Sequence, residues 1–215
     1  MISKGGEIKI ETLEVAGIVP SLIGMRNPMN SWHRSDSCYH NIGYDRVAEV
    51  GSNDTELARK LIKAGSEHRK FARQIQVWAN ITMPRYIWQE LDTYKFGTKN
   101  SCSTMHTLHK KEFTLDDFYF GDDPYMNTIL HFRDNIIPLL NEYRDNYFES
   151  DLDYTWIIEM KRCLPENFLQ MRTWNTNYEE LYNIYNQRKS HRLKDEYRVL
   201  IEWIEELPYF KELFL

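Results

Sequence analysis

Residues 74–82 alternate without a break: Ile75, Val77, Ala79 and Ile81 are interleaved with Gln74, Gln76, Trp78, Asn80 and Thr82. A period of two over this length puts one row on each face of a pleated strand, which suits a half-buried position in a sheet. Pro84 follows, and its fixed φ and missing N–H suit the first turn of a helix. Tyr86, Ile87, Glu90 and Leu91 continue at helical spacing, and the helix fails near Gly97. A polar stretch, Gly97 to Thr104, comes next.

The rest of the chain reads as mostly helical. Glu7 to Val19 alternates loosely and is expected as a strand. Residues 26–53, rich in Asn, Ser, Asp, Gly and His, read as a long irregular loop, a length that is uncommon unless functional. Ser52-Asn53-Asp54 offers a cap for a helix carrying Leu57, Leu61 and Ile62, which Gly65 stops. Pro124 to Tyr143 suggests a long helix kinked or broken at Pro138. Asn175-Thr176-Asn177 can cap a helix with Leu181, Ile184 and Tyr185, and Ser190 a last one with Leu193, Tyr197, Leu200, Ile201 and Ile204, ended by Pro208. The class expected is α+β, helix-rich, with a small sheet and one domain over 1–215.

Composition removes several classes. Of 215 residues 14% are aromatic, too many for a disordered chain. The longest apolar runs, such as Ile136 to Leu140, fall far short of the roughly 20 residues that cross a bilayer. The first residues lack the cationic stretch and apolar core of a signal peptide, so a cytoplasmic protein is expected. A net charge of −5 argues against general duplex binding but leaves room for a nucleotide pocket. Cys38, Cys102 and Cys163 are odd in number and far apart, neither a disulfide framework nor a zinc pattern; reduced thiols and no metal are expected.

Four places are candidates for chemistry. The polar stretch 97–106 offers Thr98, Ser101, Ser103 and Thr104, whose backbone N–H groups suit phosphate; a solvated loop is the simpler alternative. Cys102 with His106 and His109 has the residue types of an activated thiol, though seven His give near neighbours by chance. Asn177, Asn183, Arg188 and His191 could rim a heterocycle and an anion, while Arg188 also suits the end of a helix dipole. His68, just after Gly65, is the fourth; a lone His is more often structural or solvated than functional. The aromatic run Phe118-Tyr119-Phe120 fits a partner surface, a subunit interface or a core.

Together these places resemble the flavin-dependent thymidylate synthases, the ThyX family. The best stretch is Leu164-Pro165, then Trp174-Asn175-Thr176-Asn177, Leu181, Asn183, Arg188 and Ser190-His191. The family has Leu-Pro, an aromatic before an Asn, an Asn six residues on, an Arg five beyond and a His shortly after. The second stretch runs from 68 to 106. The family places a His before an alternating strand, then a Pro-led helix, then Arg-His-Arg-x-x-Ser-x-Asn-Glu-x-Ser-x-Arg. Ungapped, His68, the strand, Pro84, Thr98, Asn100 and Ser103 match. The similarity covers about half the chain, and residues 107–155 add almost nothing.

The departures are specific. Arg-His-Arg becomes Thr93-Tyr94-Lys95, the Glu becomes Ser101, the last Arg becomes Met105, and a Gln before the motif becomes Glu90. Arg binds phosphate through a planar fork that Met lacks. Charged hydrogen bonds are worth ~1.5–3 kcal/mol each, so such losses cost roughly ten- to a thousand-fold in affinity. Lys161, four before Pro165, falls where the family often has a phosphate-binding Arg.

The resemblance implies a homotetramer whose sites draw on several subunits. It implies FAD, with NADPH and methylenetetrahydrofolate as co-substrates, and methylation of deoxyuridylate (dUMP). Carried over, His68, Lys95, Thr98, Asn100, Asn177, Asn183 and His191 would face the flavin. Ser101, Ser103, Lys161 and Arg188 would face the pyrimidine nucleotide, with Arg188 and Ser103 nearest the chemistry. An inactive nucleotide-binding or interaction protein on the same scaffold is the alternative, because the Arg-His-Arg, Glu and Arg positions have changed.

Overall fold

The computed structural model describes residues 3–215. In chain order its elements are β1 (Lys9–Ala16), α1 (Ile18–Gly24), β2 (Cys38–Ile42), β3 (Asp45–Glu49), α2 (Ser52–Ala64), β4 (Gln76–Pro84), α3 (Arg85–Leu91) and β5 (Thr98–Ser101). Then come α4 (Thr104–Thr107), α5 (Met126–His131), α6 (Ile137–Glu149), α7 (Tyr154–Cys163), β6 (Leu169–Asn177), α8 (Tyr178–Arg188), α9 (Lys194–Glu206) and α10 (Phe210–Phe214). Four strands form a sheet in the order β1-β4-β6-β5, and β2 and β3 form a separate antiparallel hairpin. The helix-rich α+β class is as the sequence implies.

The alternation in β4 appears directly in its burial: Val77, Ala79, Ile81 and Met83 are buried, and Gln76, Trp78, Asn80 and Thr82 are half-buried. The chain turns straight into α3 after Pro84. Two compact units are defined by their internal contacts. One holds the described residues up to Ile10 with Asn80–Lys95 and Lys99–Thr173; the other holds Glu11–Ala79, Phe96–Thr98 and Trp174–Leu215.

The first unit is built on α6 and α7, with Leu140, Tyr147, Ile157 and Met160 buried between Phe113, Phe118 and Leu164. The aromatic run 118–120 belongs to this core. Phe118 and Tyr119 are buried, and Phe118 meets Phe132 and Phe168 edge-on at 5.2 and 5.8 Å. Pro138 sits in the first turn of α6, and the five residues before that helix, Phe132–Ile136, form a π-helical turn. A proline lacks the N–H that would hold the preceding turn, and a one-residue slip in the hydrogen-bond ladder accommodates that loss without ending the helix.

The second unit packs α8 against α10 and the segment 70–74. Tyr178 is fully buried among Phe210 and Phe214, and its hydroxyl donates to Pro208 O at 2.7 Å. Gly17, at φ 88°, precedes α1; a side chain there would sit 2.4 Å from Gln74 O, so only glycine fits. Gly65, at φ 110°, ends α2 as expected.

Three expectations are corrected. Residues 26–53 are not one loop: 38–49 form the β2–β3 hairpin, in register from Cys38↔Glu49 to Ile42↔Asp45 around Gly43-Tyr44. The cap of α2 comes from outside the 52–54 triplet, since the Asp36 carboxylate accepts from Asn53 N at 2.9 Å and Asp54 N at 3.1 Å. Ser190 does not cap α9; the cap position is Leu193, whose N–H reaches His191 Nδ1 at 3.3 Å.

Candidate functional site

In the second unit the end of α1, the turns after it, α2 and the segment 67–74 line a cavity of about 920 Å³. His68 lines it, held by the turn after Gly65 through its N–H to Gly65 O at 3.1 Å. Arg26, Arg34, Lys60 and Lys70 also line it, with His33, against Glu56 and Glu67 among the described residues. Lys60 is already paired with Glu56 at 2.6 Å. With Arg26 paired to the buried Asp54 and Lys60 to Glu56, Arg34 and Lys70 face Glu67, which leaves the wall one positive charge in surplus.

Arg26 is buried beside Asp54, with Nε to Oδ1 at 2.6 Å. Its Nη2 is buried without a hydrogen-bond partner. A guanidinium N–H buried away from water and without an acceptor is costly. No sequence signal singled out Arg26; its burial next to a carboxylate 28 residues away exists only in the folded chain.

The Asn–Arg–His group of the C-terminal stretch divides into two settings. Asn183 Oδ1 accepts from Arg69 Nη2 at 3.2 Å, and Arg69 Nε donates to Glu179 Oε1 at 3.0 Å. Arg73 Nε donates to the other Glu179 oxygen. Burial pushes the Glu179 carboxyl up, but the hydrogen bonds and charges of Arg73 and Arg69 outweigh it and hold it below the usual range. Arg188, in the last turn of α8, lies over the Tyr197 ring at 5.2 Å, and His191 meets the same ring at 4.8 Å. Both line a second cavity, of about 510 Å³. Thus Arg188 and His191 come together on Tyr197, whereas His68 lines a different cavity.

Asn177 caps α8, as its sequence position suggested: Oδ1 accepts from Glu180 N at 3.0 Å and Nδ2 donates to Phe96 O at 3.3 Å. Thr98 and Asn100 are exposed on β5. Lys95 is exposed and donates to Asp92 O at 2.7 Å, while Thr93 Oγ1 donates to Glu90 O at 2.6 Å. Both side chains satisfy carbonyls at the C-terminal end of α3, which has lost its intrahelical donors there.

In the first unit, Ser101 ends β5 and is exposed, Ser103 precedes α4, and Lys161 is exposed on α7. Cys102 lines a cavity of about 590 Å³ with Thr104, Thr107 and Lys111, and among the described residues lining it there is no histidine. His109 instead packs on Tyr147 at 4.9 Å. Desolvation, with Lys110, Arg144 and His106 nearby, pushes it below the usual imidazole pKa. The thiol–imidazole pairing of Cys102 and His109 is therefore not assembled.

No family model and no curated protein matches the chain. Solved structures do. A flavin-dependent thymidylate synthase ThyX from Helicobacter pylori, complexed with FAD and dUMP, superposes with a TM-score of 0.73 at 15% identity over 96% of this chain and 97% of that one. Another structure of Helicobacter pylori thymidylate synthase X, with FAD and dUMP, gives 0.72 at 15% identity over 97% of each chain. The chain has the ThyX fold along almost its whole length.

Proposed function

We propose that this chain is a divergent ThyX-like protein that binds FAD and a pyrimidine deoxynucleotide and transfers a one-carbon unit to the base. The observation that carries the reading is the cationic cavity at His68, with a buried Arg26 Nη2 that has no acceptor. A diphosphate such as that of FAD supplies anionic oxygens of the kind this atom requires. His68, a flavin contact by family position, lines the same cavity. The neighbours with FAD and dUMP bound support the same assignment.

In this reading Lys95, Thr98, Asn100, Asn177, Asn183 and His191 add flavin contacts. Ser101, Ser103, Lys161 and Arg188 hold the nucleotide. Arg188 orients and polarises the pyrimidine, and Ser103 donates a hydrogen bond rather than acting as a nucleophile. FAD would supply the redox chemistry, with NADPH and methylenetetrahydrofolate as co-substrates. A homotetramer, single-domain subunits and a cytoplasmic setting belong to the same proposal. Among the described residues no helix is long and apolar enough to cross a membrane.

A second reading, nucleotide binding without catalysis, is favoured by one observation. The positions of the family's cation triplet carry Thr93 and Lys95, whose side chains bond to α3 carbonyls. The deciding experiment is to add FAD, remove the excess and record the flavin absorbance, then assay NADPH oxidation with dUMP. Retained flavin and nucleotide-dependent oxidation support the first reading. Calorimetric dUMP binding without turnover supports the second. Binding of neither ligand overturns both.

A further inference from the structure

We propose that the β2–β3 hairpin is a binding site for a divalent transition-metal ion, zinc foremost, held by Cys38 Sγ, His40 Nε2 and a Glu49 carboxylate oxygen. Cys38 and His40 are two apart on one strand and so share a face, and Glu49 lies directly opposite Cys38 in the register. One ligand atom from each lies within 4.8 Å of the other two. Cys38 Sγ is 3.2 Å from His40 Nε2, and that same nitrogen contacts Glu49 Oε2.

The shared nitrogen is decisive. In a nucleophilic triad the carboxylate holds the second ring nitrogen while the first faces the thiol. Here both groups approach Nε2, so no relay through the ring exists. Three donors instead converge on one point. A thiolate, an imidazole and a carboxylate form a borderline-soft set of the kind zinc takes, at about 2.0–2.3 Å per bond, with a fourth tetrahedral position left for water. Those bond lengths place the donors within a few ångströms of one another, as they are here.

The surroundings agree. All three side chains are exposed, so an ion can reach them. Val47, opposite His40, offers no competing charge. The nearby cation, Arg46, sits on the opposite face, over the Tyr39 ring at 3.9 Å. An ion joining the two strands fastens their register.

The test uses the full chain, stripped with a chelator and titrated with Co²⁺ and then Zn²⁺. One Co²⁺ per chain should bind with a sulfur-to-cobalt charge-transfer band, and Zn²⁺ should displace it. Outer-shell losses at metal sites cost roughly 10–100-fold in affinity. Cys38→Ser, His40→Ala and Glu49→Gln should each cost no less, and Cys38→Ser should abolish the band. All three positions are exposed, so circular dichroism should be unchanged. The double variant Cys102→Ser/Cys163→Ser should keep both band and affinity. A band that survives Cys38→Ser, one lost in the double variant, or no bound ion at micromolar protein overturns the proposal. None of these residues is assigned to flavin or nucleotide, so the result is independent of that reading.

Discussion

Arg26 Nε donates to Asp54 Oδ1 at 2.6 Å with both side chains buried, and this pair fastens the wall of the cationic cavity to α2. The second Asp54 oxygen accepts from Ser35 Oγ at 2.7 Å, Ser37 N at 3.1 Å and Asp36 N at 3.2 Å. One carboxylate thus fixes the turns that follow α1. Removing it strands a buried guanidinium, so Asp54→Ala should destabilise the fold by about 3–5 kcal/mol, read from urea unfolding. A loss below 1 kcal/mol would mean that water reaches Arg26 and that its Nη2 is not a reserved anion position.

The same carboxylate sets an acid limit. Burial pushes Asp54 up, but Ser37, Ser35 and Arg26 together bring it below its ordinary 3.8; Glu179 is likewise brought below 4.5 against burial by Arg73 and Arg69. A carboxyl with a depressed folded-state pKa contributes stability that is present above its unfolded pKa and lost as pH falls through the folded value. The free energy of unfolding should therefore be insensitive to these groups near neutrality and fall below about pH 4.5. Glu179→Gln should lower stability at pH 7 and flatten the acid limb, as measured by denaturant titrations across pH.

Asn177 allows a structural role to be separated from a binding role. Asn177→Ala removes the α8 cap and should cost about 1 kcal/mol. Asn177→Asp keeps an acceptor for Glu180 N and adds a charge that the helix N-terminus favours, while losing the donor to Phe96 O. If Asn177 also holds flavin through its amide, Asn177→Asp should keep near-parental stability yet retain less FAD. Equal flavin content in that variant and the parent would leave the residue only its cap.

What the sequence made legible was what local spacing controls. The β4 alternation, the Gly65 stop and the Asn177 cap each depend on neighbours within a few residues, and each stands in the structure; Pro84, expected in the first turn of a helix, is instead the last residue of β4, and α3 begins one residue later. The β2–β3 hairpin was hidden because its face is exposed and its residues polar, so no buried row alternates. The cap of α2 was hidden because its carboxylate comes from Asp36, sixteen or more residues upstream of the groups it serves. The proposed site was legible only through the resemblance of its residues to family positions. Arg26, the buried cation that distinguishes the cavity, depends on a long-range partner that no spacing announces.

Ser101 and Met105 offer the most direct test of the proposed nucleotide site. Ser101 is exposed on β5, so Ser101→Glu should be tolerated. Met105 is different: it is half-buried and packs against the core around Leu108 and Phe118. Met105→Arg must leave its stem on that apolar surface while the guanidinium reaches water or an anion, which a long side chain can do. The double variant should therefore lose a little stability and bind dUMP about ten-fold more tightly, the equivalent of one recovered charged hydrogen bond. Calorimetry with dUMP and a parallel thermal melt separate the two effects. Tighter binding with a lowered melting temperature would show that the core contact of Met105 stands where the family keeps a phosphate ligand. A lowered melting temperature with unchanged affinity would show that the pocket around Ser103 has been reshaped for another ligand.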